Sequence, residues 1–324
     1  MEYTLKPVET AAEIQGAMAL YHSCVSAGEV LYRPFETVGS FEDFFLNPQE
    51  GVRKVCLSDG SDGCFASGCL SGGKAYITFL AVRPDLRRQG RGKAALSALE
   101  EALKQLAPGA LACMEITFFN PMNFVWTIPG TDHHLHPNAP GVDVSGSGYL
   151  FFKNCGYRDY AAQNSYYLNL QGYRLTDRMA LKKAELSHRG VEITTYDRNR
   201  HTGLLELLEN LGNPLWKQEI SRTAEDPEGA PILIAAKDGR VIGFTGPVKV
   251  QEQGRGYLAG LGIHSDFRGL GAGKVLFGEL CVRLRAMGAE YMTLFTGENN
   301  PARNIYEAQG FRIVRTWADM RKPM

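Results

Sequence analysis

The chain has 324 residues, more than one hydrophobic core usually fills, and this length predicts two domains of ordinary size. Hydrophobic residues make up 44% and charged residues 22%, and 35 basic side chains balance 35 acidic ones, which argues against a nucleic-acid or anionic-membrane partner. The seven cysteines are scattered singly, and the start of the chain has no signal-peptide pattern. No apolar run approaches the roughly 20 residues that span a bilayer. We therefore expect a cytoplasmic protein.

In the first half of the chain, apolar residues recur at strand and helix spacings in turn. Glycines and aspartates at residues 59–63 join two of the strands as a hairpin. In chain order we predict a strand at residues 3–8, helices at 11–27 and 41–46, strands at 52–57, 64–71 and 76–82, a helix that ends near 106, a strand at 111–118, a helix at 149–154 and a strand at 165–170.

The second half follows a predicted connecting helix at residues 173–189, which Thr176 or Asp177 could cap and Gly190 stops. Its predicted elements are a strand at 191–196, a helix at 203–211, a loop at 213–219, a hairpin of strands at 232–236 and 241–248, a strand from 257, a helix after 274, and strands at 291–296 and 312–317. We therefore predict domains of residues 1–170 and 171–324.

A glycine-rich turn, Arg268-Gly269-Leu270-Gly271-Ala272-Gly273-Lys274, joins the strand from residue 257 to its helix. The first amide N–H groups of a helix have no internal partner and carry partial positive charge. Glycine lets the backbone approach a phosphate with no Cβ in the way. The stretch therefore predicts a site for a phosphorylated ligand.

Two common nucleotide-binding motifs fit this turn poorly. A P-loop would need glycine where Arg268 stands and a hydroxyl where Val275 stands. The dinucleotide fingerprint lacks its third glycine whether it starts at Gly269 or at Gly271. The pattern that fits is Arg-x-x-Gly-x-Gly.

The same pattern occurs earlier in the chain. Residues 76–93 align without a gap on residues 257–274 at a shift of 181 positions (268 minus 87). This shift places Arg87, Gly90, Gly92 and Lys93 on Arg268, Gly271, Gly273 and Lys274. Two tandem copies of one domain are the economical explanation.

Beyond the next predicted strand, the second copy contains Asn300, Ala302, Tyr306 and the pair Gly310-Phe311. Together with Arg-x-x-Gly-x-Gly, these residues resemble the acetyl-CoA signature of the GCN5-related N-acetyltransferase (GNAT) family. The resemblance implies an α+β fold with a mixed sheet in each of two tandem GNAT-like acyl-CoA N-acyltransferase domains, an arrangement similar to that of mycothiol synthases. It also implies acetyl-CoA as the co-substrate.

In that family the pyrophosphate binds amides of the glycine turn, and the pantetheine arm pairs with the strand before it. The resemblance therefore assigns cofactor contacts in the second copy to Leu261, Gly262, Ile263, Arg268, Gly269, Leu270, Gly271, Ala272, Gly273, Lys274 and Asn300. The matching residues of the first copy are Leu80, Val82, Arg87, Arg88, Gln89, Gly90, Arg91, Gly92 and Lys93.

Tyr306 matches the family's tyrosine that protonates the departing thiolate, a transfer that suits a phenol of pKa about 10. The alternative is that its ring only packs a helix on the sheet. Phe152 stands at this position in the first copy and has no proton to give, and glycines replace Asn300 and Ala302. We therefore expect the first copy to bind or regulate and the second copy to catalyse.

A base that deprotonates the amine is harder to assign. The strand before the second turn offers no carboxylate, which leaves Glu298, Glu219 and His264 as candidates, with solvated-surface roles as the alternative for each. An amine that arrives partly neutral needs no dedicated base.

The first copy is longer than the second by about 27 residues: 64 positions separate Gly92 from Gly156, and 37 separate Gly273 from Gly310. The extra residues lie between 120 and 148, and a loop of this length is usually a functional lid or disordered.

Three histidines, His133, His134 and His136, lie in this insertion. They could bind a transition metal, contact the acceptor or lie in solvent. Because nothing beyond Asp132 completes a ligand set at recognisable spacing, we expect no metal.

The leading hypothesis is an acetyl-CoA-dependent N-acetyltransferase that acts on a small amine-bearing acceptor, with its active site in the second copy. The alternative is a non-catalytic protein that binds or senses acyl-CoA.

Overall fold

The computed structural model describes residues 4–109, 111–139 and 141–324. Tyr3 of the first predicted strand and Pro140 of the predicted insertion lie outside the described residues. The chain divides into two compact units. The first unit runs to Asn164 and includes Arg315–Met324, and the second unit is Ser165–Val314. A single boundary at residue 170 does not anticipate that the end of the chain belongs to the first unit.

The first unit begins with a short strand and two helices, and its longest strands follow. Its helices are α1 (Ala11–Ser26), α2 (Val38–Phe45), α3 (Arg91–Leu106) and α4 (Ser147–Asn154). Its strands are β1 (Lys6–Pro7), β2 (Val52–Ser58), β3 (Cys64–Ser71), β4 (Lys74–Val82), β5 (Cys113–Ile116), β6 (Trp126–Thr127), β7 (Leu135–His136), β8 (Val142–Asp143) and the start of β9 (Arg158–Asn169).

The second unit repeats this alternation. Its helices are α5 (Asp177–His188), α6 (Leu204–Leu211), α7 (Pro214–Glu225), α8 (Ala272–Ala286) and α9 (Arg303–Glu307). Its strands are β10 (Val191–Thr195), β11 (Leu233–Lys237), β12 (Arg240–Gly246), β13 (Arg255–Gly256), β14 (Gly260–Ile263), β15 (Tyr291–Gly297) and the start of β16 (Arg312–Pro323).

In the first unit, β1 to β5 lie side by side in chain order, antiparallel except for the parallel pair β4–β5. The end of β16 pairs with β5, and this pairing explains why the chain end belongs to the first unit. Successive residues of β3 face opposite sides, because strand side chains alternate. Phe65 packs with α1 and α2, and Ala66 packs with α3.

In the second unit, β10, β11, β12 and β14 form an antiparallel sheet. Ile234 of β11 packs with α6 and α7, whereas the next residue, Ala235, packs with α5 and α8. In both units helices therefore pack on both faces of a sheet, and with the parallel pairs β4–β5 and β13–β15 the predicted α+β class with mixed sheets is confirmed.

The repeat is visible in the element boundaries. The 3₁₀ turns Pro84–Leu86 and Ser265–Phe267 coincide at the shift of 181 positions, as do the first residues of α3 and α8. Among the described residues, no helix combines the length and apolarity needed to cross a membrane.

One prediction about a loop is wrong. Residues 213–219 are not a loop: Asn213 accepts hydrogen bonds from the amides of Leu215 and Trp216, Pro214 is the first helical residue, and both features start helix α7. The insertion at 120–148 contains β6, β7 and β8, so of its two predicted forms, a functional lid or a disordered loop, the second does not apply to its described residues.

Candidate active site

In both units, the strand before the glycine turn separates from its parallel neighbour. β4 pairs with β5 only through Ala75 and Tyr76, although it continues for six more residues. β13 pairs with β15 up to Gly256, which matches Ala75, and β14 pairs with β12 and with no other described strand. The backbone of residues 80–82 and 261–263 therefore faces an open edge, where an extended ligand with amide groups can add as a strand would.

The glycine turns that follow have the same backbone conformation. φ is +81° at Gly90 and +83° at Gly271, the residues that precede α3 and α8. Two positions earlier, φ is +62° at Arg88 and +83° at Gly269. Neither helix start has a side-chain cap, so its first N–H groups are presented to a ligand. We call residues 87–93 the first cradle and residues 268–274 the second cradle.

An arginine ties each cradle to its strand. Nε of Arg87 donates to the carbonyl of Val82 at 2.7 Å. Nε of Arg268 donates to the carbonyl of Ile263 at 3.3 Å. The Arg87 guanidinium also donates to both carboxylate oxygens of Glu29 at 2.7 Å each, and this pairing lowers the pKa of Glu29. Arg268 is exposed and makes no ion pair with a described residue, so its charge is available to a phosphate.

Other residues of the first cradle bind protein groups. Gln89 donates to the carbonyl of Asp85 at 3.1 Å, and Arg91 lies 3.9 Å from the carboxylate of Asp59. In the second cradle, Leu270 and Ala272 pack into the core. Ala272 is buried, so its predicted contact with the cofactor can come only from the backbone, whereas the half-buried Leu270 keeps part of its side chain exposed.

Helices α4 and α9 pack on the first and second cradles in the same way. A Cβ built at Gly92 would lie 3.2 Å from the ring of Phe151, and one at Gly273 would lie 3.5 Å from Ile305. The residues that directly follow these two neighbours occupy equivalent places: Phe152 in the first unit and Tyr306 in the second.

Tyr306 lies half-buried in an aromatic cluster. Its ring centroid is 5.1 Å from that of Phe277, 6.0 Å from that of Tyr166 and 6.2 Å from that of Phe311. Burial raises the pKa of Tyr306 to about 12, so the phenol keeps its proton at neutral pH. No described residue hydrogen-bonds its hydroxyl, which is therefore open to a ligand.

Three polar side chains lie at or near the second cradle, and two of them contact it. Asn300 accepts a hydrogen bond from the amide of Ala302 at 3.0 Å and so stabilises the turn into α9. The buried Gln309 donates to the carbonyl of Lys274 at 2.9 Å. Lys182 of α5 passes over Gly271, where its Cε lies 2.8 Å from the place a Cβ would take. Sequence reasoning missed Lys182, because it lies in the connecting helix far from the motif.

The three candidate bases have different surroundings. Glu219 of α7 accepts a hydrogen bond from the hydroxyl of Tyr257 at 2.8 Å, and burial together with this carboxylate raises the pKa of Tyr257 to about 12. His264 accepts the amide of Asp266 through Nδ1 and so stabilises the turn before the second cradle. Glu298 is exposed.

Helix α7 also packs on β14. A Cβ at Gly260 would lie 2.5 Å from the indole of Trp216, and Gly262 meets Leu211 of α6 in the same way. Only glycine leaves room for these contacts, which hold α6 and α7 against one face of β14.

The first unit contains a cavity of about 640 Å³ at the corresponding place. Its walls include the open edge of β4 and most of the first cradle, with Gln89 and Arg91 outside. Sequence reasoning missed several of its other walls, which come from distant parts of the chain: Cys24, Glu29, Tyr32, Ile116, Val142, Asp143 and Trp317.

The insertion supplies one wall of this cavity. β6 pairs with β7, and the buried rings of Trp126 and His136 stack at 5.6 Å. β8 pairs with residues 317–318 and brings Val142 and Asp143 to the cavity. His134 is buried and His133 is exposed, so the three histidines do not share one environment.

Each unit thus has a sheet that opens between two parallel strands, next to a glycine turn that presents the first amides of a helix. A family model described as the Acetyltransferase (GNAT) family matches residues 40–123 and 200–311, more than half of the chain. The chain belongs to this family, and the predicted tandem arrangement is confirmed.

Known proteins agree with this assignment. The mycothiol acetyltransferase of Propionibacterium freudenreichii subsp. shermanii is 34% identical over 96 residues, which are 28% of this chain and 30% of that protein. The mycothiol acetyltransferase of Thermobifida fusca is 32% identical over 97 residues, again 30% of that protein. The chain thus matches under a third of the length of these relatives.

One solved structure, a tandem GNAT protein from the clavulanic acid biosynthesis pathway, aligns over 99% of this chain and 98% of its own, with a TM-score of 0.55 and 16% identity. A GCN5-related N-acetyltransferase from Sphaerobacter thermophilus aligns over 99% of this chain and 95% of its own, with a TM-score of 0.61 and 14% identity. At such identities the likeness shows the fold alone.

Proposed function

We propose that the protein is an acetyl-CoA-dependent N-acetyltransferase for a small amine-bearing acceptor, with its active site in the second unit. The observation that carries the proposal is the open edge of β14, which leads directly into the second cradle beside the protonated Tyr306. Membership of the acetyltransferase family and the similarity to two mycothiol acetyltransferases support it.

In this proposal the second cradle holds the pyrophosphate through the first amides of α8. The backbone of residues 261–263 pairs with the pantetheine arm, and an N–H on this edge stabilises the oxyanion of the tetrahedral intermediate. Acetyl-CoA supplies the thioester. The amine nitrogen attacks its carbonyl carbon, the C–S bond breaks, and Tyr306 gives its proton to the departing sulfur. The attacking nitrogen loses its extra proton to solvent or to Glu219.

The first unit, in this proposal, binds acetyl-CoA through the first cradle and does not transfer the acetyl group. Its open strand edge and its turn have the geometry of the second unit. Phe152, however, has no proton for a departing thiolate. Both units would thus bind acetyl-CoA, and only the second would transfer the acetyl group.

The decisive experiment compares Tyr306→Phe with Tyr196→Phe, a matched change elsewhere in the second unit. Over a broad amine panel, we expect Tyr306→Phe to lower kcat by about 10²- to 10⁴-fold, the usual contribution of a positioned acid. Its dissociation constant for acetyl-CoA should stay unchanged, and Tyr196→Phe should behave as wild type. An unchanged kcat in Tyr306→Phe would show that the acid assignment is wrong.

A second candidate function is binding or sensing of acyl-CoA without catalysis, which the cavity of the first unit favours. Wild-type protein that binds acetyl-CoA in calorimetry but releases no free CoA with any amine of the panel would support this alternative.

A further inference from the structure

We propose that the first unit binds an acyl-CoA whose acyl group is larger than acetyl, and that the apolar end of its cavity holds this group. The inference rests on the proposed function in one respect, since CoA must occupy the first cradle.

The far end of the cavity lies where β4 and β5 separate. Ile77 directly follows the last residue of β4 that pairs with β5, and Ile116 is the last residue of β5. Trp317 and Val142 reach the same cavity from β16 and β8, which pair here. A ligand with its phosphates on the first cradle and its amides along residues 80–82 would point its acyl group at these side chains.

This end of the cavity is apolar. Ile77 and Trp317 are each 2% exposed, Phe79 6% and Ile116 9%, so their contact with a ligand would extend an existing core. An acetyl group has a single methyl to place against these walls. A longer chain would remove more apolar surface from water, and each buried methylene tightens binding by about fourfold.

The charges of the cavity argue against an amine as its occupant. The Glu29 carboxylate already accepts two hydrogen bonds from Arg87. The Asp143 carboxylate lies 3.4 Å from Nε of Arg315 and accepts hydrogen bonds from Ser145. An ammonium group would therefore meet no unpaired carboxylate here and would lose its hydration without compensation.

The wall at Val142 belongs to the insertion, which the second copy lacks. About 27 residues (64 minus 37 positions) are thus present only where the acid position holds Phe152. The unit without the tyrosine thus has a wall that the other unit lacks, which fits a site that holds a particular acyl group.

The test is calorimetric titration of the full chain with CoA and with acetyl-, butanoyl-, hexanoyl- and octanoyl-CoA. We expect one site whose affinity rises with chain length, with octanoyl-CoA at least about tenfold tighter than acetyl-CoA. Equal or weaker binding of octanoyl-CoA at every site would overturn the proposal. This series needs no variant and so does not depend on the folding of one.

Val142→Trp places an indole at the apolar end of the cavity, and Val144→Trp places one on the exposed surface of the same insertion. We expect Val142→Trp to bring the octanoyl-to-acetyl affinity ratio close to one and Val144→Trp to keep the wild-type ratio. An unchanged ratio in Val142→Trp, with wild-type circular dichroism, would place the long acyl group elsewhere.

The outcomes also separate this inference from the proposed function. If the protein binds no CoA ester, both the proposed function and this inference are wrong. If it transfers acetyl groups but its affinity for acyl-CoA does not change with chain length, the proposed function stands and only the inference about the larger acyl group is wrong.

Discussion

The first and second cradles share a backbone and differ in side chains. φ at the glycine before the helix is +81° in one and +83° in the other, and each cradle is held by an arginine to the carbonyl that ends its strand. Where the second cradle has Gly269 and Ala272, the first has Arg88 and Arg91. The two copies have thus kept the groups that present amides and have diverged in the groups that carry charge.

The position of the proposed acid diverges in the same way. Ile305 and Phe151 pack on matching glycines, so the next side chain arrives at the same place in both units. It is a phenol in the second and a phenyl ring in the first. The two units therefore share a backbone geometry that can present amides to a ligand, and at this position only the second has an atom that can give up a proton.

Breaking the cradles one at a time should give the largest difference between the units. Valine at Gly271 would be strained at a φ of +83° and would clash with Lys182. We expect Gly271→Val to lower kcat/KM for acetyl-CoA by about 10- to 100-fold, because charge-assisted bonds from the helix amides contribute about 1.5–3 kcal/mol.

The matched variant is Gly90→Val, whose φ is +81°. It should remove one acetyl-CoA per chain from the binding stoichiometry in calorimetry. If Gly90→Val lowered the rate of transfer as much as Gly271→Val, catalysis would not be confined to the second unit.

The two arginines should differ in their effect on stability. Arg87 and Glu29 are about one-third exposed and share two hydrogen bonds, whereas Arg268 has no ion-pair partner among the described residues. In urea unfolding at about pH 7, we expect Arg87→Ala to cost about 1 kcal/mol and Arg268→Ala clearly less.

The cost of Arg87→Ala should depend on pH. Because Arg87 holds the folded-state pKa of Glu29 below its unfolded value, the pair stabilises the fold above the unfolded pKa of about 4.3. This contribution is lost as the pH falls through the folded-state pKa, so the difference in stability between wild type and Arg87→Ala should shrink at low pH to the part that comes from the bond to the Val82 carbonyl. A constant difference down to about pH 2 would mean that the lost interaction is not the ion pair.

The cradles and the repeat could be predicted from the sequence because their signals are local. The spacing of Gly90 and Gly92, or of Gly271 and Gly273, reports a turn that only a few conformations allow. The sequence also contains a signal for the start of α7, since Asn213-Pro214 is a typical helix-start pattern. The resemblance to the family favours an acceptor-binding loop at this place, and the predicted loop is therefore wrong.

The cavity could not be predicted, because its walls meet only in three dimensions. Tyr32, Val142 and Trp317 are separated by long stretches of chain, and none of them stands in a motif. Lys182 reaches Gly271 for the same kind of reason, through the packing of α5 beside α8. Contacts between distant segments depend on how whole elements pack, which periodicity along one segment does not report.

Arg88 offers the finest test of the comparison between the cradles. Its φ of +62° is one that L-residues pay about 1–2 kcal/mol to adopt, and the second cradle avoids that strain with Gly269. Arg88→Gly should relieve the strain but make the unfolded chain more flexible, so we expect a net stabilisation of at most about 1 kcal/mol in urea unfolding.

The same variant should weaken binding of CoA to the first unit, because a guanidinium that lines the cavity is lost. The reverse change, Gly269→Arg, should destabilise the second unit. A less stable Arg88→Gly variant would show that Arg88 is held by packing, and unchanged CoA affinity would show that its charge does not serve the ligand.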